Sequence, residues 1–541
     1  MATPVRTSGA ALVAALISCP ALAAGDPAIE QQLNVLQQAL AKQQEQLQQQ
    51  QQQLQTQAQE IARLREQLAA SPATGSSTEQ LASEVHQAKL AAQDAPRVTL
   101  TNARPSITSA DGRASFSPRA VVQLDAANYG DRTDGGAGDF RRGSVGATAN
   151  RETAAARDFS EGAYFRRARF GFEGTVARDF TYRVLAELGG SGTEGPARIN
   201  DFWIGYTGFA PFTIQVGAFS PPANMDDGIN VESSLFIERA TPSELSRTLG
   251  GADGRIGIGA RGNGSRWMSS VTLTSRTVND AEVFDSQLAA VGRFGALLAT
   301  SADYNLHAGV SGTWVIHPPD QGSTAAVTQR RVVRLRDRPE IRVDSTRLID
   351  TGSIDADSAY VYGLEAGANW KNWYLQAESF RYGIERSPAT GTLPDPTFDG
   401  FYVQGSWILS GESRRYDIAT GAFQAPRPFV PFTSAGGRGA WELALRFSRM
   451  DLDFHSGLAG TAATADAIRG GTQDIWTFGV NWYVNANVKL MLNWLHVDVD
   501  RLNPAGVGNL TPFGPAPGTP PIGVQIGQDL DIFGLRTQYA F

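Results

Sequence analysis

The sequence predicts an all-β transmembrane barrel of about 16 antiparallel strands, preceded by an N-terminal α-helical coiled coil. Three observations carry that prediction. Leucine and isoleucine recur every seventh residue between Ile29 and Leu68. Apolar and polar side chains alternate in short segments spread over residues 110–541. A closing segment, Phe533 to Phe541, sets aromatic and apolar residues on one face.

Residues 1–24 read as a signal peptide. Arg6 precedes an apolar run from Gly9 to Ser18, and Ala21-Leu22-Ala23 supplies small residues, which is the charged, apolar, small order of a secretory leader. The run is too short to cross a bilayer as a helix, which needs about 20 apolar residues. Leu16-Ile17-Ser18-Cys19 also fits a lipoprotein box, with Cys19 acylated, so lipidation stands as the alternative to the favoured cleavage near Ala23 or Ala24. Cys19 is the sole cysteine, and a chain cut after it has no disulfide framework.

Residues 29–70 are expected to form a periplasmic coiled coil. Leu33, Leu40, Leu47, Leu54, Ile61 and Leu68 hold one heptad register, while Ile29, Leu36 and Leu64 hold a second that Gln43, Gln50 and Gln57 interrupt. A repeat sustained over this length gives a continuous apolar seam. Residues 71–109 lose the pattern to Ser, Thr, Gly and Ala, with Pro96 and Pro105, and read as a linker with a weak helical patch near Leu81–Leu90.

Residues 110–541 carry the barrel. Phe180, Tyr182, Val184 and Ala186 alternate with Thr181, Arg183, Leu185 and Glu187; Phe212–Gly217, Phe401–Leu409, Trp441–Ser448, Trp476–Val484 and Val488–His496 follow the same period of two. Side chains of a strand point alternately to opposite faces. A soluble sandwich and a membrane barrel share that pattern. The closing segment separates them: Phe533, Leu535, Thr537, Tyr539 and Phe541 lie on one face, and the terminal aromatic is similar to the last strand of bacterial outer-membrane proteins, which the barrel-assembly machinery reads. No apolar stretch after the leader has helix-spanning length, and only helices and closed barrels satisfy their backbone groups in lipid. Gly130–Asn150 and Asn503–Gly523 read as loops. A barrel of this width leaves an aqueous channel.

The net charge of −7 argues against a nucleic-acid partner. Lysine occurs only at Lys42, Lys89, Lys371 and Lys489, so 43 of the 47 basic residues are arginine. The densest cluster runs from Arg330 to Arg347, with Asp337, Glu340 and Asp344 as its acidic residues. In an extended chain Arg334, Arg336 and Arg338 would share one face at steps of about 6.6 Å. Guanidinium donates a planar fork to phosphate or carboxylate oxygens and keeps its charge. The same cluster also fits a surface patch for lipopolysaccharide phosphates.

A family resemblance enters on three stretches. Arg336-Asp337-Arg338-Pro339-Glu340-Ile341-Arg342 continuing to Gly352, Phe165-Arg166-Arg167-Ala168-Arg169-Phe170 continuing to Gly174, and Val216–Pro222 followed by Phe236-Ile237-Glu238-Arg239 together resemble the phosphate-selective porin O and P family. The resemblance implies a trimeric, 16-stranded, anion-selective porin in a bacterial outer membrane, with loops folded into the lumen and no cofactor. It also implies that Arg166, Arg167, Arg334, Arg336, Arg338 and Arg342 mark the path of inorganic anions such as phosphate or polyphosphate. The sequence departs from the phosphate-specific pattern in lysine: only Lys371 and Lys489 remain, both in apparent strands, and Leu235 follows Ser233-Ser234 where a constriction lysine is expected. Asp226, Asp227 and Glu232 would oppose tight phosphate capture from an inward loop.

Other chemistry finds less support. Gly257-Ile258-Gly259-Ala260-Arg261-Gly262 fits a dinucleotide fingerprint but continues into a β-like stretch instead of a helix. His86, His307, His317, His455 and His496 lack metal-ligand spacing. No catalytic motif announces a barrel enzyme. A structural tether, with the coiled coil on the cell wall, is the remaining alternative to a channel.

Overall fold

The structure, a computed structural model, describes residues 95–131, 159–190, 197–280, 284–322, 330–388, 391–433, 436–504 and 525–541, with positions 63, 83 and 523. The signal peptide, the coiled-coil heptads and the loop stretches 132–158 and 505–522 therefore lie outside the described residues. What is described belongs almost entirely to one compact unit, Gln93–Phe541.

Sixteen strands form the barrel. They are β1 (Ser115–Asp131), β2 (Gly162–Val176), β3 (Phe180–Glu187), β4 (Arg198–Phe209), β5 (Phe212–Phe219), β6 (Arg255–Asn263), β7 (Trp267–Thr277), β8 (Leu288–Thr300), β9 (Tyr304–His317), β10 (Ile354–Trp370), β11 (Trp373–Arg386), β12 (Thr397–Ile408), β13 (Ala440–Phe454), β14 (Ile468–Tyr483), β15 (Val488–Asp500) and β16 (Leu530–Ala540). Each pairs antiparallel with its sequence neighbours, and β16 closes on β1 from Leu530↔Asp131 to Ala540↔Val121. Closure removes every free edge along the wall, which lipid requires.

The alternation sorts the two faces as the sequence implies. On β13, Glu442, Ala444, Arg446, Ser448 and Met450 are buried inside, while Trp441 and Leu445 are exposed on the outer face. Aromatic pairs gather outside at the short-turn end: Trp373 stacks on Trp407 at 5.2 Å and Trp441 on Trp482 at 5.3 Å. That is the interfacial girdle of a membrane barrel.

Three expectations need correction. Part of the 71–109 linker is structured: Arg97–Thr101 and Arg104–Thr108 form a hairpin whose second strand pairs with β1 at Ile107↔Phe116 and Thr108↔Ser115. Pro105 fits there because it sits at the margin of the sheet, where a missing N–H is tolerated. Lys371 lies in the two-residue turn between β10 and β11, not in a strand. The cluster at Arg330–Arg347 is not one extended ladder. Its only regular pieces are Val332–Val333 and Arg336–Asp337, the latter paired with Ile349–Asp350.

Described residues of three chain segments enter the lumen. The first, residues 220–254 between β5 and β6, carries the helix α1 (Thr241–Gly250). The second, 318–353, joins β9 to β10 and holds most of the arginine cluster. The third, 409–439 between β12 and β13, enters from the short-turn end and carries a small antiparallel pair, Arg415–Asp417 with Ala422–Gln424. Their apolar residues make a true core against the inner wall: Ile237, Leu245, Leu335, Ile341 and Ile349 cluster with Phe380, Phe398, Tyr402, Met450 and Leu495 of β11 to β15.

Polar side chains from the wall and from the third segment fasten the first segment in place. Its carbonyls at Ser233, Ser234, Leu235 and Glu238 accept from Arg414 (3.1 Å), Lys489 (2.5 Å), Asn481 (2.9 Å) and Arg446 (3.1 Å). Loop carbonyls buried away from water need such partners. Segment and wall are thus joined by both apolar packing and hydrogen bonds.

Candidate functional site

Among the described residues, three chambers stand in the lumen, mainly against β1 to β7. The upper, about 500 Å³, is enclosed by β2, β4, β7 and the first two inner segments. The middle, about 190 Å³, lies against β1 to β7. The lower, about 1070 Å³, opens at the short-turn end. Asn200, Arg239 and Asp253 line both the upper and middle chambers. Arg119, Arg183, Trp203, Asn230, Glu232 and Arg261 line both the middle and lower ones. These shared residues stand between the chambers as two narrow places, or necks, in the lumen.

All six arginines singled out from the sequence meet in the upper chamber. Arg166 and Arg167 reach it together because of a β-bulge: Gln123 pairs with Arg167 and Leu124 with Phe165, so Arg166 is the extra residue. A bulge breaks the alternation and turns two consecutive side chains the same way. Arg334, Arg336, Arg338 and Arg342 arrive from the second inner segment. Ten arginines and four carboxylates line this chamber in all, so its field is strongly positive although the whole chain is negative.

The arginines differ in how far their charge is spent. Arg334 donates to Asp350 at 2.7 Å. Arg342 binds Glu244 at 2.7 Å and lies 3.4 Å from Glu238. Arg166 binds Glu238 at 2.7 Å, and Arg536 joins the same carboxylate at 3.0 Å. Burial alone would raise the Glu238 carboxyl, but Arg166, Arg342 and Arg536 around it hold it well below the usual range. Arg167, by contrast, donates among the described residues only to the neutral Gln123, at 2.7 Å. Arg336 and Arg347 have no ion-pair partner among the described residues. Burial, reinforced by Arg338 and Arg336 nearby, lowers Arg347 to about 10, so it still carries its charge at neutral pH.

The acidic residues expected to repel anions are mostly absorbed. Asp227 binds Arg247 at 2.6 Å and lies 3.5 Å from Arg239. Glu232 binds Arg119 at 3.0 Å across the lower neck. Asp253 bridges Arg169 (2.6 Å) and Arg247. Burial opposes its ionisation, yet these two arginines keep it well below the ordinary carboxylate range. Asp337 behaves differently: burial pushes it up to about 6, with Arg342 only partly offsetting the shift.

Sequence reading missed several contributors. Arg198, Arg239 and Arg247 complete the upper chamber, and Arg119, Arg169, Arg183 and Arg261 line the middle one. Arg169 could have been found from its phase, two residues after Arg167 on β2. Lys489 reaches the Ser234 carbonyl from the opposite wall, beside the position where the sequence lacks a lysine. Arg414 is fully buried against Glu442 at 2.8 Å, and Arg415 lines the lower chamber.

Comparison with known proteins places the chain among related sequences. The family described as phosphate-selective porin O and P matches residues 141–541. An uncharacterized protein of Caulobacter vibrioides is 26% identical over 426 residues, spanning 77% of this chain and 74% of that one. Porin O of Pseudomonas aeruginosa is 24% identical over 364 residues, spanning 63% of this chain and 78% of that one. Among solved structures, the loop L8 deletion mutant of OmpT, an outer membrane protein of Vibrio cholerae, covers 79% of this chain and all of its own at 10% identity, with a TM-score of 0.42.

Proposed function

The chain belongs to the phosphate-selective porin O and P family, and from that membership and the geometry of its lumen we propose that this outer-membrane porin selects anions along an arginine-lined route. The observation that carries the reading is the upper chamber, where ten arginines face four carboxylates in a confined space. Charges elsewhere on the chain are screened within about 8–10 Å at physiological salt, so the local excess governs a passing ion. Arg166, Arg167, Arg334, Arg336, Arg338 and Arg342 are assigned to this path.

The solutes proposed are small inorganic oxyanions, phosphate and polyphosphate among them. Several moderate sites in sequence suit conduction better than one tight site, and the partial pairing of these arginines moderates each one. The working assembly proposed is a homotrimer, inserted by the barrel-assembly machinery beside lipopolysaccharide, with the heptads of residues 29–70 as a coiled coil in the periplasm.

Reversal potential across a planar bilayer in a potassium chloride gradient tests the reading. The expected sign is that of anion preference, with phosphate lowering the chloride current in competition. A reversal potential on the cation side would overturn it.

A further inference from the structure

One indole stands at the lower neck in a setting that simple inorganic anions do not require. Trp203 on β4 faces the lumen, because its neighbours Phe202 and Ile204 are exposed on the outer face. Two glycines lie beside this residue, one on its own strand and one on β5. A Cβ at Gly205 would stand 3.5 Å from the ring and 2.8 Å from the Thr181 hydroxyl. At Gly217 of β5, held at φ +135°, a Cβ would stand 2.7 Å from the Trp203 Cα.

Two guanidinia flank this ring. The Arg183 carbon lies 5.5 Å and the Arg261 carbon 5.8 Å from its centroid. Both distances are within cation–π range but beyond the roughly 3.5–4 Å of close contact. Arg183 is committed to Glu173 at 2.7 Å and faces Asp201 at 3.8 Å. Arg261 has neither a carboxylate nor a hydrogen-bond acceptor among the described residues. Across the neck, Glu232 is taken up by Arg119, and Asp201, the carboxylate whose charge reaches Arg261, is shared with Arg183 at 3.8 Å and does not hydrogen-bond Arg261.

An unspent planar fork beside an aromatic face matches a planar anion. The carboxylate would accept from Arg261, and the ring behind it would lie against the indole. Phosphate or chloride would use the fork and gain nothing from Trp203. We propose that Trp203 and Arg261 form a subsite for planar organic carboxylates, aromatic or heteroaromatic, at the lower neck. The proposal rests on the anion-channel reading and extends its solute class.

Block of chloride current through the full-length protein in planar bilayers tests it, with benzoate as the probe and cyclohexanecarboxylate as the non-planar control. Benzoate is expected to block at a several-fold lower concentration than the control. Trp203→Leu, which keeps apolar bulk without a π face, should remove that difference, and Trp203→Phe should retain most of it. Arg261→Gln should weaken block by both carboxylates about tenfold, the scale of one charge-assisted contact. Equal block by the two acids in the unaltered channel, or a benzoate preference that survives Trp203→Leu, would overturn the subsite. The parent reading fails separately, through a reversal potential on the cation side in the unaltered channel.

Discussion

The two halves of the lumen are built on different principles although their strands look alike. Against β11 to β15 the inner face meets folded chain: Phe398, Tyr402 and Met450 are buried among Ile237, Leu245 and Ile341. Against β1 to β7 the inner face meets open chambers, and its arginines remain near solvent or near one another. The packed half spends its charges on internal pairs such as Arg446–Glu340 and Arg414–Glu442. The open half leaves several unspent, including Arg167, Arg336 and Arg261. The inward arginines of the packed half are thus consumed by ion pairs, whereas the open half keeps some that no described carboxylate pairs with.

Breaking the packed half should have the largest effect. Arg446→Ala leaves Glu340, almost wholly buried, without its cation, and an orphaned buried charge costs about 3–5 kcal/mol. The expected outcome is a lower unfolding temperature in detergent, read as heat-modified gel mobility, with a larger and noisier conductance as the second inner segment comes loose. An unchanged unfolding temperature and a quiet current would count against the pairing.

Charge removal on the open half should alter selectivity while sparing stability. A charge about 7 Å from a passing ion contributes about 0.6 kcal/mol in water-like surroundings, with opposite sign for anion and cation, which is roughly eightfold in their permeability ratio. Arg167→Gln and Arg336→Gln are each expected to lower the anion-to-cation ratio by about that factor, measured from reversal potentials. Arg381→Gln is the control, since Arg381 lies on the outer face of β11 paired with Asp399 at 2.6 Å. An equal shift from Arg381→Gln would show that net charge, not placement, sets selectivity.

The smallest effect concerns pH. Asp337 titrates at about 6, so its negative charge is present at pH 7.5 and lost by pH 5. Anion preference should accordingly rise as pH falls through that window, by at most the roughly eightfold of a single charge. In Asp337→Asn the reversal potential should hold its low-pH value throughout. A preference that falls on acidification would contradict this assignment.

The strands were legible because alternation is a local property. Phe180–Glu187, Phe212–Phe219 and Val488–Asp500 begin and end close to where period two begins and ends. The clustered arginines were legible for the same reason. Their pairing was not, because Glu238 serves Arg166, Arg342 and Arg536 from three distant parts of the chain. The bulge at Arg166 depends on the register with β1, which no single segment states. Trp203 hides within the apolar run Phe202-Trp203-Ile204, where alternation gives no clue to facing. In the third inner segment nothing local says that Arg414 will find Glu442.

The central claim is that solutes pass along the open half. Cys19 is the sole native cysteine, so a thiol placed in the barrel can report access with the unaltered protein as background. Asn200→Cys lines the upper neck, and Phe398→Cys sits in the packed core. During treatment with an anionic methanethiosulfonate reagent, current through Asn200→Cys should fall while current through Phe398→Cys holds steady. Block at Phe398→Cys with none at Asn200→Cys would place the route through the other half and contradict the claim.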